Sequence, residues 1–106
     1  MDVTEDANGN TILFRVIDCY KGPDIIDILR LFIGKVNVNH VNALGDNALF
    51  SLVHYKEKDV VDIIRFFKYN RIDLDHENSE GKMVVDYFKS EHRGDKLNDI
   101  VRCLRD

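Results

Sequence analysis

Asp62-Ile63-Ile64-Arg65-Phe66-Phe67 is the middle one of three matching hexads in this chain. Asp27-Ile28-Leu29-Arg30-Leu31-Phe32 precedes it by 35 residues, and Asp99-Ile100-Val101-Arg102-Cys103-Leu104 follows it by 37. Each reads Asp, two apolar residues, Arg, two apolar residues. On a helix the Asp and Arg share one side, and the four apolar positions are expected to face inward. Two further signals keep the same phase. Gly9, Gly45 and Gly81 stand 36 apart, and Val36-Asn37-Val38-Asn39-His40 aligns with Ile72-Asp73-Leu74-Asp75-His76, again at 36. Three signals with one period mark a repeat protein.

The residues after each glycine predict what one unit contains. Leu13, Phe14, Val16 and Ile17, like Leu49, Phe50, Leu52 and Val53, fall at helical spacing, so a short inner helix follows the glycine. The outer helix, which carries the hexad, comes about a dozen residues later. Gly22-Pro23-Asp24 suits the first turn of an outer helix, while Gly34 and Asn70 are candidates for the left-handed residue that stops one. Val36 to Asn39 and Ile72 to Asp75 alternate apolar with polar, which predicts a strand-like arm before turns at Ala43-Leu44-Gly45 and Ser79-Glu80-Gly81. No such unit can bury its apolar face alone, so the units must stack. The expected fold is all-α, a single domain over residues 1–106 with about three helix-turn-helix units, approximately 6–41, 42–77 and 78–106, and short β-hairpin-like fingers.

This pattern resembles the ankyrin-repeat family. Gly9-Asn10-Thr11-Ile12-Leu13-Phe14 and Gly45-Asp46-Asn47-Ala48-Leu49-Phe50 are similar to the family's Gly-x-Thr-Pro-Leu-His. Ile63-Ile64-Arg65-Phe66-Phe67 with Ile72-Asp73-Leu74-Asp75 is similar to its outer helix and Ala-Asp-Val-Asn arm, and Asp86-Tyr87 to its terminal repeats. The resemblance runs from about residue 6 to 104. The chain departs from the family pattern in lacking the Thr-Pro proline, in placing Phe14 and Phe50 where the His stands, and in a longer link between the two helices. These departures weaken the capping network of the inner helices. The period near 36 and the Asn-, Ile-, Phe- and Lys-rich wording are similar to ankyrin proteins of poxviruses and other intracellular pathogens.

Composition narrows the partners. The chain has 106 residues, 44% hydrophobic and 32% charged, with one proline, which is the profile of a folded protein. Its net charge is -4, and the 15 basic residues form no run of the kind a nucleic acid or anionic membrane would need. Apolar stretches such as Ile25 to Ile33 are interrupted by Asp27 and Arg30 and fall short of the roughly 20 residues of a membrane span. No signal-peptide pattern opens the chain. A cytoplasmic protein is expected, or a nuclear one, in a host cell if it comes from a pathogen. Two cysteines far apart, Cys19 and Cys103, predict free thiols.

Catalytic chemistry finds little purchase. His40, His54, His76 and His92 form no ligand-spaced pair with another His or Cys, and His40 and His76 repeat at equivalent positions, which suits a hydrogen-bonding residue on the arm better than a metal ligand. Cys103 shares a column with Leu31 and Phe66 and reads as core, whereas Cys19, near the end of the first inner helix, can be exposed. The glycines are isolated, with no phosphate-loop spacing. The expectation is therefore no enzyme, no cofactor and no metal. The Asp and Arg of the hexads would line up along the stack, either as a charged binding stripe or, as such pairs more often do, to confer solubility.

The resemblance implies protein binding through the finger tips and the concave side of the inner helices. The matching positions are Ala7, Asn8 and Asn10 in the first unit, Ala43, Leu44, Asp46, His54 and Tyr55 in the second, and Ser79, Glu80, Lys82, Ser90 and Glu91 in the third. Leu44 and Tyr55 have the apolar and aromatic character of anchors; Leu44 could equally pack against the neighbouring finger. The competing expectation is a structural or self-assembling segment of a larger array, as a monomer or weak homo-oligomer. Ile17 and Val53 share a column with Lys89, and Ile26 and Val61 with Asn98, so the last unit turns polar where a stack would meet water. The first unit shows no such conversion, and its face is expected to meet an upstream repeat or some other contact.

Overall fold

Thr11, Asn47 and Met83, spaced 36 apart, are the residues at which an extended backbone gives way to an inner helix. The computed structural model describes residues 9–20, 22–55 and 58–105. These form α1 (Ile12–Cys19), α2 (Ile25–Phe32), α3 (Ala48–Ser51, continued by a 3-10 turn at Leu52–His54), α4 (Val60–Tyr69), α5 (Val84–Glu91) and α6 (Gly94–Arg105). Asn47 caps α3 by accepting from the Leu49 N–H, and its amide donates to the Asp73 carbonyl 3.0 Å away. At α5 the Asp86 carboxylate accepts from the Met83 N–H at 3.0 Å, satisfying a donor that the helix leaves open. Thr11 does neither: its hydroxyl is buried without a hydrogen-bond partner among the described residues.

The helices pack against one another in a single body. α1 packs on α2 and α5 on α6, while α3 lies between α1 and α5, and α4 backs onto α6. One apolar core runs through all of them, from Leu13, Phe14 and Ile17 through Leu49, Leu52, Ile63, Ile64 and Phe67 to Phe88 and Ile100. The molecule measures 44 × 32 × 22 Å. The link from inner to outer helix is tied by a tyrosine in each of the first two pairs. Tyr20 donates to the Asp24 carboxylate and Tyr55 to that of Asp59 at 2.7 Å, and both acceptors stand at the start of an outer helix. The bond to Asp24 favours the protonated phenol and raises the Tyr20 pKa above its ordinary value. His92 occupies the same column of the third pair, is buried, and its Nε2 meets the Val53 carbonyl at 3.0 Å.

Several expectations need correction. The arms at 36–39 and 72–75 are turns and not strands, because Asn37 and Asp73 fold them by accepting from the backbone N–H two residues on. Among the described residues the only β pairing is an isolated bridge between Glu77 and Met83, so the hairpin-like fingers are tight loops. The hexads do not present four buried positions each: Leu31 is 66% exposed, since the first hexad lies on a helix covered chiefly by α1. Neither Gly34 nor Asn70 is left-handed. Arg71 is, with φ 67°, and the bonds Arg71 N–H to Lys68 carbonyl and Ile72 N–H to Phe67 carbonyl close α4 in the Schellman manner. α3 is only four residues of α-helix, its second half tightening to 3-10 geometry. As the sequence suggested, Cys103 is buried and Cys19 exposed, both as free thiols. Among the described residues no helix is long and apolar enough to cross a membrane.

Candidate functional site

Asn42 and Asn78 build two matching loops that form one side of a groove. Each uses its side-chain oxygen to accept two backbone N–H groups, those of Leu44 and Asp46 in the first loop and of Glu80 and Lys82 in the second. Their backbone N–H groups donate to the Asp46 and Lys82 carbonyls, closing the loops at the base. Gly45 takes φ 78° at the turn, and a Cβ there would sit 2.7 Å from the Ser79 nitrogen, so the loops touch where the first has no side chain. The Ser79 N–H then donates to the Leu44 carbonyl at 3.1 Å. Two histidines make matching bonds to glycine carbonyls one period apart: His40 Nε2 lies 2.9 Å from the Gly9 carbonyl, and His76 Nε2 2.6 Å from that of Gly45 in the first of these loops.

Between these loops and the inner helices lies a groove of about 410 Å³. Phe50 and Val53 of α3 and its 3-10 continuation line its apolar part, and Tyr87 of α5 faces Phe50 edge-on at 5.8 Å. Asn78 donates to the Tyr87 hydroxyl, which donates to Glu80 at 2.9 Å, so the aromatic wall and the loop carboxylate hold each other in place. Asp18, Asp46 and Glu80 bring three carboxylates to the lining. The Oδ1 atom of Asp46 is enclosed by protein, and no donor among the described residues reaches it.

Of the positions expected from sequence, the groove gathers Leu44, Asp46, His54, Ser79 and Glu80. Leu44 is 68% exposed, at the loop tip; it does not pack away against the neighbouring loop. His54 pairs with Glu91, Nδ1 to Oε1 3.7 Å, at the end of the groove, and Lys82 stands 5.9 Å over the Tyr87 ring on its flank. Ala43 and Ser90 are exposed but do not line it. Asn10 is held by the amide of Asn42. Ala7 and Asn8 lie outside the described residues. Tyr55 is overturned as an exposed anchor: it is 1% exposed, because the 3-10 turn carries its ring into the core and its hydroxyl to Asp59. Asn42, Asn78, Phe50, Ser51, Val53, Tyr87 and Asp18 were missed. The recurrence of Asn42 and Asn78 at the 36-residue period was a visible signal for two of them.

No protein-family model matches the chain, and no curated protein matches it. Among solved structures it is similar to a chain in the complex of a predatory endopeptidase from Bdellovibrio bacteriovorus with an immunity protein. The TM-score is 0.65 at 24% sequence identity, over 95% of this chain and 51% of that one. The likeness is one of fold, and this chain spans about half the length of the solved chain it matches.

Proposed function

We propose that this chain is a short ankyrin-like repeat array that binds a partner protein through its finger loops and the concave face of its inner helices, and that it is a binding module and not an enzyme. The observation that carries the reading is the groove: loop tips one period apart and the inner-helix residues Phe50 and Val53 converge on one concavity, with an exposed Leu44 at its lip. An apolar residue at the edge of a partly apolar concavity is the arrangement in which a few buried contacts dominate an interface. The repeat of 36 residues in loop and inner helix, and of 35 and 37 in the outer-helix hexads, supports the ankyrin-like assignment. The fold-level likeness to a chain from a complex of two proteins is compatible with partnering.

A photo-crosslinking amino acid placed at position 44, and separately at positions 31 and 69 on the outer helices, tests this in lysate of the natural host cell. Crosslinks to a second protein from position 44 and not from the outer positions are expected. Crosslinks confined to positions 31 and 69 would move the interface to the convex face and overturn the reading. A product of twice the chain's own mass from position 44 would replace partner binding by self-assembly.

A further inference from the structure

We propose that the groove takes a basic side chain, arginine in preference to lysine, from an extended segment of the partner; this inference rests on the protein-binding reading above. The aliphatic stem lies over Phe50 and Val53 with Leu44 beside it, and the charged head meets the carboxylates of Asp46 and Glu80, with Asp18 also on the lining.

Two features of the groove carry this. Its lining pairs apolar surface with carboxylates, which is the complement of a side chain whose stem is apolar and whose tip is cationic. Its charge is lopsided: three carboxylates line it, and the one basic group among the lining residues is His54, which is turned to Glu91. Lys82 is outside the lining, over the Tyr87 ring. A guanidinium suits such a lining because its flat fork matches a carboxylate and stacks against aromatic rings. An acidic segment would bring like charges together, which opposes binding.

The test uses peptides selected against the immobilised full chain from a random-sequence display library. Selected peptides are expected to share one arginine or lysine beside an apolar residue and to shift the backbone amides of Leu44, Asp46 and Ser79. Replacing that arginine by uncharged citrulline should weaken binding about tenfold or more, and so should Asp46→Asn. The two losses should not add, because each removes the same pairing. Thermal unfolding unchanged by Asp46→Asn separates lost pairing from lost fold. Glu80→Gln, which keeps an acceptor for Tyr87, repeats the comparison should Asp46→Asn prove unstable. Peptides that occupy the groove without a shared basic residue, or losses that add in full, would overturn the basic-side-chain inference and leave the binding reading standing. Failure to select any peptide, or selection only of peptides that shift the outer faces of α2 and α4, would overturn both.

Discussion

His40 and His76 each reach 31 residues back, from the turn after one outer helix to the glycine carbonyl of the loop before. The ring thereby meets a loop carbonyl and ties neighbouring units together. His76→Ala would leave the Gly45 carbonyl to water and should cost about 0.5–1.5 kcal/mol in a denaturant titration. His54→Ala, at an exposed side chain, should stay within about 0.5 kcal/mol. Equal losses from both would show that the backbone contact contributes nothing specific. That the histidine pair was structural was legible from its regular spacing. That Tyr55 was core was not, because an aromatic at the end of a short apolar run reads the same whether the chain continues as a helix or tightens into a 3-10 turn.

The inner helices are the least self-sufficient elements. α3 has only four α-helical residues, too short to persist by its own hydrogen bonds. What holds it is burial: Ala48, Leu49 and Leu52 are fully enclosed between α1 and α5. Leu49→Ala should therefore cost about 2–5 kcal/mol, a large part of the roughly 5–15 kcal/mol available to a domain. Leu31→Ala, in an outer helix but facing solvent, should change stability by less than about 0.5 kcal/mol. Midpoints from urea unfolding decide it, and a Leu31→Ala loss comparable to that of Leu49→Ala would contradict the packing described. The hexads located all three outer helices within a few residues, since an i, i+3 apolar pattern survives in any context. They could not tell which hexad positions the neighbouring pair covers.

Across the whole molecule, protection should follow how each helix is covered by the others. α4, closed by its own capping turn and backed by α6, should exchange its amides most slowly, while α2, covered chiefly by α1, exchanges fastest of the outer helices. Hydrogen exchange followed by NMR reads this directly, and faster exchange in α4 than in α2 would reject it. The sequence alone determined the period, the helix positions, the buried character of Cys103 and the turns at 43–45 and 79–81, because helical periodicity and glycine act within a few positions of themselves. Only the tertiary structure decided that the arms are turns, that Arg71 takes the left-handed position, that Tyr55 turns inward, and that Asp18, Phe50, Val53 and Tyr87 share one groove with Leu44 and Asp46. The arm turns, the Arg71 closure and the turn at Tyr55 rest on local bonds among residue types that also fit other conformations, whereas the shared groove depends on contacts between units, such as those of Asn39 with Arg71 and Asp73, that leave no local signal in the chain.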